Sequence, residues 1–263
     1  MIPRIGMLLM LGFALAFLPA GSPVRAQSID DIVAKNKIVV GVINDLPPFG
    51  FVNKSGELDG YEAAVARLMA KHLGVVVELV AVSGPNRIPY LLSGKIDAVV
   101  ATLAVTPARA KQVMYSIAYG DQEISLYASK STKIDTPDDV RGLKIAVTRG
   151  NVEEQLVKTK LPSAQALLFD DDASTHQALL SHQADAVLTN AVTFRTLTKG
   201  AAADFERKLV LNRDIQGIAV RRGSFDLLQW INTFVAAAKL NGELDALHRQ
   251  YFAAPLPPDL PTF

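Results

Sequence analysis

Arg87 and Arg109 stand 22 residues apart in the stretch 86–109, NRIPYLLSGKIDAVVATLAVTPAR. The pattern predicts each of them in the first turn of a helix. Asn86 can cap the first helix, which leaves Arg87 at its first position and Pro89 at its third. Thr106 can cap the second, with Pro107 where proline is best tolerated. A first helical turn has unpaired N–H groups and the positive end of the helix dipole. A guanidinium added there makes a place for an anion, and arginine matches a carboxylate with two parallel hydrogen bonds. A strand predicted over 96–103 would bring both arginines to one sheet edge. The chemistry to expect is recognition of a small anionic molecule.

The elements that must position these arginines alternate along the chain. Short β-branched apolar runs predict strands over 37–43, 75–82, 96–103, 143–148, 164–169, 184–189 and 217–220. A helix is predicted over 59–74. Asp59 and Glu62 have capping-box spacing, Val65, Leu68, Met69, His72 and Leu73 make one face, and Gly74 ends it. Another helix starts at Ser224 and turns Leu227, Leu228, Ile231, Phe234 and Val235 inward. Gly242 separates it from a last helix holding Leu244, Leu247 and Tyr251. Alternation of this kind predicts an α/β architecture with largely parallel sheets. There is also a loose internal echo. Strand residues 38–40 lead into Gly41, and 144–148 lead into Gly150-Asn151, with Asn151 and Glu154 spaced as a second capping box. The echo predicts two lobes, each with its own sheet. The proline-rich tail, 255–261, is expected on the surface.

Residues 1–26 read as a cleavable secretory leader and not as fold. Arg4 supplies the positive start, 7–18 is an apolar run, and Val24-Arg25-Ala26 fits a small-residue cleavage site before Gln27. The run is too short to span a bilayer, and no later segment approaches that length. Loss of Arg4 and Arg25 with the leader leaves 25 basic and 26 acidic residues, which gives no basic excess for nucleic acid or a membrane surface. There are no cysteines, so the mature part must hold together by burial alone. Its 237 residues suffice for one large domain or two lobes. A Gram-negative periplasm is the expected compartment, and a monomer the expected state.

Taken in order, these segments resemble the periplasmic polar-amino-acid-binding proteins of ABC transporters, the bacterial extracellular solute-binding proteins of family 3. The markers are VVGVINDLPPFGF (39–51), GELDGYEAAVARLMAKHLG (56–74), the arginine-bearing stretch, GLKIAVTRGNVEE (142–154), ALLSHQADAVLTN (178–190) and GIAVRRGSFDLLQWIN (217–232). NRIP followed by TPAR is most similar to the branch that takes glutamate and aspartate. The resemblance implies a type II binding-protein fold of two α/β lobes joined by two hinge crossings. Lobe one would be 27–120 plus 216–263, and lobe two 121–215. Ligand would sit in the cleft, and the closed form would dock on an inner-membrane permease. No cofactor is implied.

The same resemblance assigns the site. Arg109 would grip the α-carboxylate, Arg87 a distal carboxylate, and Thr102 would offer a hydroxyl and a carbonyl at the cleft edge. The turn Gly150, Asn151, Val152 would close from lobe two. Several positions depart from the pattern. Asn190 stands where an aspartate usually binds the ammonium, Ala104 where a hydroxyl helps hold the carboxylate, and Val152 where a threonine is usual. Leu46 replaces the first-loop aromatic, with Phe49 nearby, and Ile43 takes the place of an extra cation. The expected cleft therefore keeps two cations and lacks the family's carboxylate, so that its arginines need water or partners such as Glu123, Glu153 or Asp171. That balance points to a dicarboxylate-like anion, or to an acidic amino acid held weakly at its ammonium. The competing class is a dehydratase-like enzyme on the same fold, for which Glu123 and Glu153 are the available carboxylates. No nucleophile elbow or metal motif supports catalysis. Asp170–Asp172 is expected to cap a helix, and Asp97 and Asp185 to bond backbone.

Overall fold

The structure is a computed structural model that describes residues 27–262. The predicted leader lies outside them. Helix α1 (Ile29–Ala34) opens with a capping box in which Ser28 and Asp31 bond each other's backbone. Strand β1 (Lys37–Ile43) follows; its nearly unbroken apolar sequence suits a strand covered on both faces. A small antiparallel sheet of β2 (Asp45–Leu46), β3 (Gly50–Val52) and β4 (Leu58–Asp59) leads into α2 (Tyr61–Leu73). The capping box predicted for α2 does not form. Gly60, at φ 114°, is its N-cap, and Asp59 instead accepts hydrogen bonds from Gly60 N–H and the Tyr251 hydroxyl. Glu62 is thereby free to turn into the protein.

Strand β5 (Val76–Val82), α3 (Arg87–Leu92), β6 (Ala98–Val99) and α4 (Pro107–Ala110) complete this part of the chain. The strand predicted over 96–103 shrinks to the two residues Ala98–Val99, and Thr102, at φ 42°, lies outside the extended region. Strand β7 (Val113–Ser129) then runs 17 residues, and no strand is predicted there from sequence. Its middle, Gly-Asp-Gln-Glu at 120–123, has turn composition and hides the strand. After a short 3₁₀ turn come β8 (Lys144–Thr148), α5 (Val152–Lys160), β9 (Gln165–Phe169), α6 (Asp172–Leu180), β10 (Ala186–Asn190) and α7 (Ala191–Thr198). Strand β11 (Phe205–Arg221) is also 17 residues long, of which the sequence predicted only the end. Helices α8 (Phe225–Leu240) and α9 (Glu243–Phe252) close the chain.

β7 and β11 pair antiparallel along their whole lengths and pass through both halves. The two half-sheets therefore join into one curled sheet of order β5-β1-β6-β11-β7-β10-β8-β9, parallel at both ends. Each half keeps its own core. One packs Tyr61, Val65 and Met69 of α2 and Ile231 and Phe234 of α8 against Val40 and Val220. The other packs Leu156 and Val157 of α5 against Ile145 and Leu188.

The internal echo is physical. Val39 N–H donates to the Asp97 carboxylate (2.9 Å) while Asp97 N–H donates to the Val39 carbonyl (2.7 Å). Lys144 and Asp185 repeat the exchange in the other half, at 2.7 and 2.8 Å. The two clamps differ in surroundings. Asp97 is half-buried and lies 3.6 Å from Arg221, whose side chain is 6% exposed, whereas Asp185 is exposed. Asp97→Ala should accordingly cost about 1.5–3 kcal/mol, the range of a hydrogen bond to a charged group plus the loss of Arg221's partner. Asp185→Ala should cost clearly less. Urea unfolding of the two variants checks the order.

Candidate functional site

Arg87 begins α3, but Asn86 does not cap that helix; its side-chain oxygen accepts from Ser83 N–H (3.0 Å). The first turn of α3 points Arg87 inward, where it is 1% exposed. Its guanidinium donates to neutral acceptors on every side. These are the carbonyls of Gly84 (3.3 Å), Ala101 (2.8 Å), Thr102 (3.2 Å) and Gly150 (3.2 Å), together with the side-chain oxygen of Asn151. Arg109 rises from α4, which Thr106 caps as predicted. It donates to the carbonyls of Ala104 (2.9 Å) and Gly150 (2.9 Å). Both arginines thus reach the same turn before α5.

That turn can approach because of two glycines. Gly150 sits at φ 75°, and a Cβ there would lie 2.9 Å from the Gly84 carbonyl. A Cβ on Gly84 would lie 2.4 Å from the Arg149 carbonyl. Asn151 spends its side chain on Arg87, so the predicted capping box does not form; Glu154 instead accepts from Gly150 N–H (3.3 Å). The cleft is closed, with free space of about 10 Å³, room for a single water.

Of the three partners expected for the arginines, two are engaged elsewhere and Glu153 lines the cleft. Glu123 accepts from Arg207 (2.6 Å), and Asp171 caps α6 as predicted, accepting from Ser174 N–H (2.6 Å). Nor is the cleft without carboxyl groups: Glu153, Asp172 and Asp214 all line it. This corrects the two-cation reading. Sequence missed Asp172 because it follows the capping aspartate and looks like more of the same run. It missed Asp214 because the hinge part of β11 went unpredicted. Burial raises all three carboxyls. Asp172 reaches about 7, helped by nearby Asp45; Glu153 and Asp214 are both pushed upward, the charge of Asp214 adding to the effect of burial on Glu153. Burial, with Arg109 alongside, pulls the Arg87 guanidinium down to about 10.

A fourth carboxyl lies just behind. Glu62 is fully buried, accepts from Thr102 N–H and from the Tyr119 hydroxyl (3.2 Å), and is raised by burial to about 7. It holds Thr102 in the left-handed conformation that presents the Thr102 carbonyl to Arg87.

Of the other expected site residues, Leu46, Thr102, Ala104, Asn151, Val152 and Asn190 line the cleft. Gly150 contributes its carbonyl. Ile43 does not line it: it is packed in the core under Gly50, where a Cβ would meet the Ile43 carbonyl at 2.1 Å. Phe49 faces a second cavity beside the first. Asn190 caps α7, its side-chain oxygen accepting from Val192 (3.1 Å) and Thr193 (2.9 Å) N–H and its amide donating to Gln122 (3.0 Å). Its acceptor is occupied, so it offers an ammonium little.

Residues 38–254 match the profile of a family described as bacterial extracellular solute-binding proteins, family 3. The chain belongs to that family. This solute-binding protein is 28% identical over 261 residues to the L-cystine-binding protein TcyJ of Escherichia coli K12, covering 95% of this chain and 97% of TcyJ. It is 30% identical over 233 residues to the ABC transporter glutamine-binding protein GlnH of Bacillus subtilis, covering 86% and 85% of the two chains. Among solved structures it is similar to the ancestral amino acid-binding protein AncCDT-1, a precursor of cyclohexadienyl dehydratase. The TM-score is 0.77 at 31% identity, over 85% of this chain and 98% of that one. The fold is that of two-lobed periplasmic amino-acid-binding proteins. Among the described residues no helix is long and apolar enough to cross a membrane.

Two outcomes follow from the closed cleft. Gly84→Ala should fold yet fail to close, because the new methyl meets backbone; small-angle scattering should show a larger radius of gyration than the parent protein's. Asp172 keeps its proton in the folded state to about pH 7 and loses it near pH 4 when unfolded. Its contribution to stability is full below about pH 4 and disappears as pH rises through about 7. Thermal unfolding should therefore show the parent protein losing ground to Asp172→Asn across that window, and no further above it.

Proposed function

We propose that this solute-binding protein captures a zwitterionic amino acid between its lobes in the periplasm and delivers it to an ABC permease. The observation that carries the reading is the pairing of Arg109 with Asp214 around one cavity. Arg109 is half-buried and spends its bonds on neutral carbonyls. A ligand carboxylate can replace the Gly150 carbonyl with a charge-assisted, bidentate contact, which is about twice as strong as a neutral one. One Asp214 oxygen accepts from Asn212, and the other is buried with no partner. It is the natural seat for an ammonium, the task left open by Asn190.

The preference for acidic ligands loses its basis. It rested on two cations without carboxylates, and three carboxyl groups share the cavity. Arg87 is ringed by backbone carbonyls and serves closure, so a distal ligand carboxylate is not required. A head group with one carboxylate and one ammonium fits the balance, and the cystine- and glutamine-binding relatives take ligands of that kind.

Hinge bending would occur where β7 and β11 cross between 27–120 plus 216–263 and 121–215. Lobe one holds the ligand by Arg109; lobe two closes with Gly150, Asn151 and Val152. Ligand shifts the open–closed balance only by its differential affinity for the two forms. The precursor relationship of AncCDT-1 to a dehydratase leaves catalysis as the rival reading, and Glu153, kept protonated by burial, is the acid it would use.

Isothermal titration should find L-glutamine, L-arginine or L-cystine binding better than L-glutamate, L-aspartate and the corresponding deaminated diacids. Tighter binding of a diacid than of its amino acid would reverse the assignment. Arg109→Ala should lose roughly 2–5 kcal/mol of affinity, the penalty of breaking a desolvated charge pair, while remaining folded. Mass spectrometry of ligand recovered after long incubation should show it chemically unchanged; a dehydrated product would establish the enzyme.

A further inference from the structure

Beside the closed cleft lies a second cavity of about 370 Å³. It falls within the size range of small-molecule sites, whereas the first has room only for a single water. Gln122 and Asn190 line both cavities, and the hydrogen bond between their side chains (3.0 Å) is the partition.

The hinge ladder shows why the two are contiguous. Gln122 pairs with Asp214, and Gly120 pairs with Gln216, with no bulge between these rungs. Residues two apart on a strand share a face, so both pairs present the same side of the ribbon. Gln122 and Asp214 floor the first cavity; Gly120 and Gln216 floor the second. The two floors are about 7 Å apart along the strands. Gly120 leaves the room: a Cβ there would lie 3.1 Å from the Gln216 side-chain oxygen.

The second cavity has the chemistry of a built site. Phe49, Tyr61, His248 and Phe252 wall one side and pack on one another, with ring centroids between 4.6 and 5.6 Å apart. Gln216 is 1% exposed, yet neither its amide nitrogen nor its amide oxygen has a hydrogen-bond partner. Two unpaired buried polar atoms are expensive to keep without a use. From lobe two, Arg195 of α7 lines the cavity, and no hydrogen bond or ion pair engages its guanidinium among the described residues. Glu123 and Asp121 also line it, but Arg207 and Arg213 respectively neutralise them.

We infer that the two cavities are one elongated binding site, and that the second takes the distal polar head of a two-headed amino acid. The inference rests on the proposed amino-acid reading of the first cavity and extends it. The proximal head sits at Arg109 and Asp214. The distal head is a second α-amino-acid group, with a carboxylate for Arg195 and the Gln216 N–H and an ammonium for the Gln216 oxygen. The segment between the heads passes the Asn190–Gln122 partition, whose amides swing aside, and lies against the aromatic wall.

Titration of the full mature chain with paired probes tests this. L-cystine carries two heads; S-methyl-L-cysteine and L-glutamine carry one. The parent protein should bind L-cystine at least tenfold more tightly than S-methyl-L-cysteine. Arg195→Gln, a change at an exposed side chain, should weaken L-cystine at least tenfold and move L-glutamine less than twofold. Ala191→Phe, which fills the cavity, should do the same. Gln216→Leu should weaken L-cystine while raising the unfolding temperature of the free protein, because it removes two unpaired polar atoms. A purely structural Gln216 would lower that temperature. If single-headed probes bind and L-cystine binds no better, or if the variants weaken both probe classes equally, the second subsite is wrong. Failure of L-glutamine, L-arginine and every other amino acid to bind would instead overturn the amino-acid reading itself.

Discussion

The structure turns on one buried guanidinium. Arg87 is almost wholly removed from water, with no carboxylate at ion-pair distance among the described residues. Such a charge is tolerable only if each donor finds an acceptor. Three carbonyls come from its own lobe, and the remaining acceptors, the Gly150 carbonyl and the Asn151 amide oxygen, come from the turn before α5 in the other lobe. Satisfying Arg87 and closing the cleft are therefore one event. In the proposed opening of the lobes, Arg87 would exchange those two acceptors for water, which would keep the two forms close in free energy. A small difference is what a ligand of ordinary affinity can tip.

Much of the unusual local structure serves that constraint. Thr102 adopts a left-handed conformation that a β-branched residue seldom takes. Glu62 holds it there by binding its N–H, and Glu62 can do so only because Gly60 relieves it of capping α2. Gly84 and Gly150 lack the atoms that would keep the lobes apart. Four buried carboxyls surround this arrangement, and burial drives each toward its neutral form. Three of them line the cavity, which thus carries less negative charge than its composition suggests.

The hinge strands contribute more than a connection. β7 and β11 carry Gln122, Asp214, Gly120 and Gln216 on one face of a continuous ladder, so the floor of the ligand space belongs to neither lobe alone. In the proposed closing motion this floor would stay in place while the walls move, so that its residues would meet ligand first and those on α7 and the turn before α5 would arrive with closure.

The parallel strands of both halves, the α/β class and the caps at Thr106 and Asp171 were legible from residue types and spacing, and the two-lobe fold with the arginine pair at one cleft from the family resemblance. Strands and caps are local matters: a capping side chain reaches three residues along, and apolar periodicity is a property of a short window. That Asp97 and Asp185 bond backbone was legible for the same reason, but their matched pairing as clamps in the two halves was not. What tertiary structure alone decided were the long hinge strands, hidden by polar and glycine residues, and the carboxyls that β11 and α6 bring to the arginines. It also decided that Ile43 lies in the core and that Phe49 faces a different cavity from Leu46. Those outcomes depend on which surfaces meet across more than 100 residues of chain, as when Asp214 comes to line one cavity with Arg87. Charge balance in a cleft is a sum over such meetings, and the identity of each residue fixes only its own share.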